Sequence, residues 1–564
     1  MKRRAIATIA TGVIALATAL TACSAPITDS PQASASGSQS GTSTTPARAL
    51  RVWAGSTTPI SVDFNPFHVD TALYGTYGPI YEPLFFFNQL SADAAKPLLG
   101  DSYEFSSDGK TITIKLKPNL KWSDGQPLTA DDVIFTFGYG PNKTDQLLSA
   151  TAPDATTIVL KYSKPQFTSA PQLLGATMIV PKHVWSKISD YQAQTNAKPV
   201  GSGPYTVKTT SDASYTFTFN TNFRDPAPAV TEVQWIGLDS NQSGQDMLST
   251  GQIDWTGMFI ANPDSVTGTG AISTMNQQQD PTVVVTCANA AKGCKGAQTD
   301  PAVRQALNLA IDRPALAEKA WAGLVGQANP AFVLLPRDQQ WLTDQSLAAS
   351  PQAANIAQAE QILQAAGYTK DAKGFYGKDG KQIDLDLFSP DGWTDYNDAA
   401  KLIAEEAGKA GIKVTARTVS EAEYWTPVTN GDFQLAMYGL TQSIVADPYS
   451  NYEQYFSGKS TANVGDAPGH GQNYSRYANP DVDAAIQAAA ATNDPAIKKT
   501  EYAKIQAQIA TDLPYIPVVL NASQAFYNTK DFTGWPTDAN LYADPLPYIS
   551  VAPELILLNL KPAG

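Results

Sequence analysis

The stretch that decides the fold runs from Leu116 to Phe135 and reads Leu-Lys-Pro-Asn-Leu-Lys-Trp-Ser-Asp-Gly-Gln-Pro-Leu-Thr-Ala-Asp-Asp-Val-Ile-Phe. We predict a strand that ends at Trp122, followed by a tight turn over 123–125, where glycine supplies the backbone freedom that a turn needs. Thr129 is a suitable N-cap for a helix whose apolar face begins with Val133. A strand, a turn and a helix in this order form scaffold rather than a ligand site.

Segments on both sides continue the alternation of strands and helices. Polar and apolar residues alternate with a period of two in Thr111–Lys117 and Tyr215–Phe219, which predicts half-buried strands. Segments with one apolar helical face predict helices after the capping pair Asp300-Pro301 and at 354–366, 395–409 and about 496–511, with a further strand at 412–419. This alternation indicates an α/β fold in which helices cover the sheets.

The N-terminus has the pattern of a secretory signal. Three basic residues at 2–4 precede an apolar run at 5–19 and small residues before Cys23. We predict a lipoprotein signal peptide over 1–22, with Cys23 lipidated as the new N-terminus. A short transmembrane anchor is the alternative, although the run is near the lower limit for spanning a bilayer. Residues 23–47, rich in Ser, Thr, Ala and Pro, predict a disordered linker, so the protein is expected outside the cytoplasm, held by lipid to the outer face of the cell membrane.

Length, charge and cysteines bound the class of protein. A chain of 564 residues is too long for one hydrophobic core, so we predict two or three lobes. Its formal net charge of −13 argues against nucleic acid as a partner. Besides Cys23 the chain has only Cys287 and Cys294. Because disulfides persist outside the cytoplasm, we predict that these two cysteines form one.

The sequence has no motif of a catalytic site. The patterns Gly-x-Ser-x-Gly, His-Glu-x-x-His, Gly-x-Gly-x-x-Gly and the phosphate loop are absent. The three histidines, His68, His183 and His470, are far apart, and we predict neither a metal site nor a cofactor. The chain is therefore expected not to be an enzyme. A secreted hydrolase, such as a glycosidase with a carboxylate pair assembled from distant positions, is the remote alternative.

The stretch from Leu116 to Phe135 resembles the signature of family 5 extracellular solute-binding proteins, which serve ABC importers of oligopeptides, dipeptides, nickel and oligosaccharides. Tyr81-Glu-Pro-Leu84, Gly201-Ser-Gly-Pro-Tyr205 and Val303-Arg-Gln-Ala306 resemble further motifs of the family. The resemblance implies a two-lobed fold like that of periplasmic binding proteins, with a hinge and an extra domain in the first lobe. The expected partners are a solute and the permease and ATPase subunits of an importer, and the expected state is a monomer.

By analogy with the family, the chain divides into three domains. Domain I is expected to take 48–86, 199–282 and 526–564, domain II 87–198, and domain III 283–525. The ligand is expected between the lobes, which close over it as hinged binding proteins do.

The resemblance also implies positions for a peptide ligand, which is the leading prediction. Peptide-binding members hold the ligand backbone like an added strand, here near Asp70 and Thr71 in the first lobe and near Tyr438-Gly439-Leu440 in the second. Asp395 corresponds to the aspartate that pairs with the ligand's α-ammonium group. The alternative is that Asp395 is the N-cap of its helix.

A second resemblance leaves an oligosaccharide open as the alternative ligand. Gly392-Trp393-Thr394-Asp395-Tyr396 is similar to a stretch in members that bind β-linked gluco-oligosaccharides. In that case Trp393 would stack on a sugar ring and Tyr396 would lie beside it. Nickel is disfavoured, because histidine is scarce.

Overall fold

The computed structural model describes residues 48–469 and 471–563. The predicted signal peptide at 1–22, the predicted lipidation site Cys23 and the linker at 23–47 lie outside these residues. Within them, no helix is both long enough and apolar enough to cross a membrane.

The described residues form twenty-one strands and fourteen α-helices, numbered here in chain order. The strands are β1 Leu50–Trp53, β2 Phe85–Phe86, β3 Lys96–Pro97, β4 Gly100–Phe105, β5 Thr111–Leu116, β6 Leu147–Asp154, β7 Thr157–Tyr162, β8 Tyr205–Thr210, β9 Ser214–Phe219, β10 Glu232–Ile236, β11 Trp255–Gly257, β12 Ile272–Thr286, β13 Thr369–Lys370, β14 Tyr376–Lys378, β15 Lys381–Gln382, β16 Asp384–Pro390, β17 Lys413–Val419, β18 Leu435–Gly439, β19 Tyr515–Asn528, β20 Phe532–Thr533 and β21 Lys561–Pro562. The helices are α1 Ala130–Phe137, α2 Ala170–Gly175, α3 Lys182–Trp185, α4 Asn241–Ser249, α5 Asp264–Thr267, α6 Pro301–Ala310, α7 Arg313–Trp321, α8 Ile356–Ala365, α9 Thr394–Lys409, α10 Glu421–Asn430, α11 Tyr449–Phe456, α12 Pro480–Ala490, α13 Pro495–Asp512 and α14 Ala552–Asn559.

A mixed sheet of ten strands runs through the molecule in the order β17-β16-β18-β12-β19-β11-β1-β10-β9-β8. One hydrophobic core surrounds β1, β9 and β10. We call the part of the molecule built around this core the first lobe. Two further cores surround β16 and β18, which belong to the second lobe. The predicted α/β fold with two lobes is confirmed.

The strands β12 and β19 join the lobes. They pair antiparallel from Ile272–Asn528 at the first-lobe end to Val285–Tyr515 at the second-lobe end. Their register shifts twice, between Gln278 and Asp280 and between Thr282 and Val283. The expected domain boundaries 282/283 and 525/526 both fall inside these strands, so residues near the middle of β12 lie between the lobes.

A separate four-stranded antiparallel sheet, in the order β4-β5-β7-β6, falls within the stretch expected as domain II. Helix α1 covers it, and Ile112, Trp122 and Val133 share its buried core. The helix begins after Thr129 as predicted, and the Asp132 carboxylate accepts a hydrogen bond from the Thr129 N–H at 2.9 Å. The quoted stretch is therefore scaffold.

The prediction of a strand that ends at Trp122 is wrong, because β5 ends at Leu116. Pro118 has no N–H to donate, and Asn119 adopts a φ of 58°, which breaks the extended backbone. The tight turn after Trp122 is confirmed: Gly125, with a φ of 85°, donates its N–H to the Trp122 carbonyl at 2.9 Å.

The other predicted elements are confirmed with small shifts at their ends. The predicted strands correspond to β5, β9 and β17, and the predicted helices to α6, α8, α9 and α13. Asp300 caps α6 by accepting the Ala302 N–H at 2.9 Å. Helix α8 starts at Ile356 rather than 354, because Asn355 is its N-cap.

The structure contains a disulfide between Cys287 and Cys294, with their Cα atoms 5.4 Å apart. The short loop that it closes docks on the second lobe, where Val464 donates its N–H to the Lys292 carbonyl.

Candidate functional site in the interlobe cleft

The lobes face each other across a cleft that one arginine bridges. Arg337 of the second lobe donates from Nη1 to the main-chain oxygen of Gln89 in the first lobe at 2.5 Å and to that of Ser443 at 2.7 Å. A cavity of about 660 Å³ lies farther out, between the four-stranded domain and the helices α11 and α12.

The predicted residues Trp393, Asp395 and Tyr396 lie at the start of α9. Trp393 occupies the N-cap position, so the interpretation of Asp395 as the N-cap is wrong. The Asp395 Oδ2 atom accepts a hydrogen bond from the indole N–H of Trp321 at 2.9 Å. Burial raises the pKa of Asp395. One oxygen of this carboxylate is therefore held by the Trp321 indole, and the main-chain N–H groups of Asp395 and Tyr396 also act on the carboxylate.

Tyr396 links α9 to the joining strand. Its hydroxyl lies 3.1 Å from Oγ1 of Thr282 on β12, and both groups are buried. The same hydroxyl lies 2.9 Å from the point where a Cβ atom on Gly439 would stand. The structure thus brings Tyr396 and Gly439 together, and glycine leaves room for the phenol.

Four aromatic side chains form a row along the second lobe, which we call the aromatic row. The ring centroids are separated by 6.5 Å from Trp393 to Trp425, 6.0 Å from Trp425 to Tyr438 and 5.6 Å from Tyr438 to Tyr474. Tyr438 is buried, whereas the other three rings are partly exposed. Such a row offers ring faces to an apolar or sugar-like surface.

Among the residues that the structure describes, no strand pairs with one edge of the main chain at the end of β18. Its other neighbour, β16, pairs only with Leu435 and Ala436. Leu440 donates its N–H to the Pro281 carbonyl at 2.9 Å, which fixes the phase of the ladder with β12. Because hydrogen-bonded residues alternate in an antiparallel ladder, the N–H and C=O of Gly439 point away from β12, toward the unpaired edge.

Asp70 and Thr71 lie in a short 3₁₀ helix of the first lobe, Val69–Tyr74. The Thr71 hydroxyl is buried and donates to the carbonyls of Asn65 and His68 at 3.0 and 2.7 Å, whereas Asp70 is exposed. No hydrogen bond or aromatic contact of the described residues joins Asp70 or Thr71 to the second-lobe group.

Two carboxylates near the joining strands were missed by the sequence reasoning. Asp544 accepts hydrogen bonds from Gln89 at 2.8 Å and Gln279 at 3.3 Å, and burial raises its pKa. Asp280 follows Gln279 on β12, and burial with repulsion from Asp544 raises its pKa to about 7. One feature of the sequence points to Asp280, which is the single charged residue of the strand Ile272–Thr286.

Two lobes on a shared sheet, joined by a pair of strands and facing each other across a cleft, define a solute-binding protein of the hinged, two-lobed class. The sequence pattern of bacterial extracellular solute-binding proteins, family 5 (middle region), matches residues 94–463. The chain belongs to this family. It is a solute-binding protein of ABC importers that acts outside the cytoplasm, and it is not an enzyme.

Individual relatives agree with this membership. The chain is 29% identical over 436 residues to Protein XP55 of Streptomyces lividans, covering 74% of this chain and 75% of that protein. It is 25% identical to the oligopeptide-binding protein AppA of Bacillus subtilis, covering 74% and 76%. A solved structure of the periplasmic oligopeptide-binding protein of an ABC transporter from Thermotoga maritima, with mannohexaose bound, is 27% identical with a TM-score of 0.77 and covers 92% of this chain and 99% of its own.

Proposed function

We propose that this chain captures an oligopeptide between its lobes and delivers it to the permease of an ABC importer. The observation that carries the proposal is the unpaired edge of β18 at Gly439. A peptide in extended form can pair with this N–H and C=O as an added strand, which binds the main chain and leaves side chains free to vary. Asp395 stays the predicted partner of the α-ammonium group, at the start of α9.

An oligosaccharide is the second candidate, and the aromatic row favours it. Partly exposed indole rings at Trp393 and Trp425 suit the C–H faces of sugars. The Thermotoga maritima relative, which holds mannohexaose in its solved structure, adds support for this candidate.

A thermal-shift and calorimetry screen of the mature protein tests the two candidates. The panel contains tri- to hexapeptides, mannohexaose and cellobiose-type oligosaccharides. A true ligand at 100 times its Kd adds about 2.7 kcal/mol of stability. We expect stabilisation by peptides; stabilisation by sugars alone would make the peptide proposal wrong.

Backbone pairing is tested with the best peptide from that screen. Methylation of one ligand nitrogen at a time removes one N–H, and we expect a single position to weaken binding at least tenfold. One variant separates the candidates: Trp425→Ala should abolish sugar binding, whereas peptide binding through Gly439 should persist. An N-methyl scan with no sensitive position would contradict pairing at the edge of β18.

We also propose that a lipid on Cys23 anchors a monomer to the outer face of the cell membrane. Support comes from the sequence pattern before this cysteine. Cys23→Ser should release the protein from the membrane fraction into the surrounding medium. Continued retention in the membrane fraction would contradict the anchor.

A further inference from the structure

The cavity of about 660 Å³ between the four-stranded domain and the second lobe, which we call the outer cavity, has one wall from each. Phe137 and Tyr162 on the first wall belong to the core of the four-stranded domain. Tyr449 and Ile486 on the second wall belong to a core of the second lobe. None of the described lining residues is one proposed to hold the transported solute. Small-molecule sites have volumes of about 300–1,000 Å³, so the outer cavity is large enough for a ligand of its own.

The width of the outer cavity depends on how far the lobes close. The four-stranded domain is held to the first lobe at Ser123, whose Oγ accepts the Gly201 N–H at 3.2 Å and whose carbonyl accepts the side-chain amide of Asn222 at 3.0 Å. The two walls therefore move with different lobes. A ligand that contacts both walls stabilises the closed form, and by linkage closure strengthens the binding of that ligand.

Polar groups on the first wall are available to a ligand. Gln146 and Gln172 are exposed, and their side-chain amides make no hydrogen bond with another described residue. Tyr162 is 2% exposed, and its hydroxyl has no hydrogen-bond partner among the described residues. Because a buried hydroxyl without a partner costs free energy, a polar ligand that supplies one would gain affinity.

Two lysines give the outer cavity a positive charge. Lys164 follows β7 in the four-stranded domain and Lys459 follows α11 in the second lobe, so they come from opposite walls. Neither ammonium group forms an ion pair with a carboxylate of the described residues. Glu453 is the one acidic residue of the described lining, although the whole chain has a formal net charge of −13. Closure brings the two like charges toward each other, and an anion between them would offset their repulsion.

We propose that the outer cavity binds a small organic dianion of the dicarboxylate class, whose two carboxylates pair with Lys164 and Lys459. Each pair would be a charge-assisted hydrogen bond, which is roughly twice as strong as a neutral one. The amides of Gln146 and Gln172 would donate to the remaining carboxylate oxygens. Whichever solute the cleft takes, the dianion is an effector that favours closure and is not the transported cargo.

Calorimetry on the full mature chain at constant ionic strength tests the site with succinate, glutarate and adipate. Glutaramide and butyrate are the neutral and monoanionic controls. We expect the best dicarboxylate to bind at least tenfold more tightly than butyrate, and glutaramide not to bind. Lys164→Gln and Lys459→Gln should each weaken that dicarboxylate at least tenfold. Lys143→Gln, at an exposed lysine beside the cavity that does not line it, should leave the affinity unchanged.

Coupling to the cleft is measured with the solute identified in the thermal-shift screen. At saturation this solute should raise the affinity for the dicarboxylate at least threefold, and the dicarboxylate should raise the affinity for the solute by the same factor. Binding without coupling would contradict a site that contacts both lobes.

The site itself would be overturned if no dicarboxylate bound, or if binding depended on neither lysine. Dependence on Lys164 or Lys459 alone would contradict a dianion held between the two walls. Calorimetry with the dicarboxylates needs no ligand in the cleft, so a failure of the peptide proposal leaves this result unaffected.

Discussion

Replacing Arg337 by methionine tests how much the contact across the cleft stabilises the closed protein. The guanidinium of Arg337 makes two kinds of contact in the structure. Nη1 reaches the Gln89 carbonyl of the other lobe at 2.5 Å, and Nε and Nη2 pair with the Asp338 carboxylate at 2.7 and 2.8 Å. Only the first contact crosses between the lobes, so its loss should weaken closure itself.

The loss of the contact across the cleft and the loss of the ion pair with Asp338 have different magnitudes and are measured by different experiments. A hydrogen bond from a charged group contributes about 1.5–3 kcal/mol net. If it forms only when the lobes close, its loss lowers ligand affinity by about 10- to 150-fold. Removal of the arginine also leaves Asp338, whose side chain is 0% exposed, without its partner, and breaking a buried ion pair costs about 3–5 kcal/mol of folding stability.

A double variant separates these effects. Arg337→Met/Asp338→Asn removes the unpaired buried charge, so most of the folding stability should return while ligand affinity stays low. Urea unfolding measures the first quantity and calorimetry with the best peptide measures the second. Small-angle scattering should show a larger radius of gyration for the double variant with ligand than for wild type with ligand. Wild-type affinity in a folded double variant would refute a role for the bridge in closure.

Three further predictions concern the scaffold. Burial, and then repulsion from a neighbouring carboxylate, raises the pKa of Glu554. The stabilising contribution of Glu554 is therefore present in acid and is lost as pH rises through the folded pKa. Glu554→Gln should flatten the fall of unfolding free energy between pH 5 and 8, and an unchanged slope would contradict this. Gly203→Ala would press a Cβ atom onto the main-chain oxygen of Gly78 and should cost about 1–3 kcal/mol in urea unfolding; no loss would show that the backbone yields there. Cys287→Ser/Cys294→Ser should lower the free energy of unfolding by about 2.5 kcal/mol, by loop-entropy arithmetic. The variant is compared with wild type, with and without reductant. Equal stability of the two proteins without reductant would contradict this prediction.

Local patterns in the sequence predicted most of the local structure. Period-two alternation identified β5 and β9, and the capping pair at Asp300 identified the start of α6, because both depend on neighbours in the chain. The end of β5 was misplaced because Pro118 and Asn119 interrupt the strand before the apolar Leu120 and Trp122 resume. The positive φ of Asn119, rather than the hydrophobic pattern, determines the course of the backbone there.

The cleft was less predictable, because its parts come together only through long-range pairing. Tyr396 and Gly439 were both named from the resemblance, and the structure places them in contact. Asp280 and Asp544 are separated by more than 260 residues, and their mutual repulsion exists only in the folded chain. Thr71, by contrast, donates its hydroxyl to the main-chain carbonyls of Asn65 and His68, which precede its helix, and no spacing in the sequence could reveal these partners.

The passage of β12 and β19 through both lobes has a mechanical consequence. Two hydrogen-bonded strands resist bending more than a flexible loop does. Closure of the lobes must therefore twist this pair of strands rather than rotate about a loop. The two register shifts are its softest points, since the ladder is already interrupted there. Gly326 and Leu520 exchange two hydrogen bonds of 2.8 Å beside the register shifts. These bonds stiffen one side of the paired strands, which should favour one direction of lobe closure.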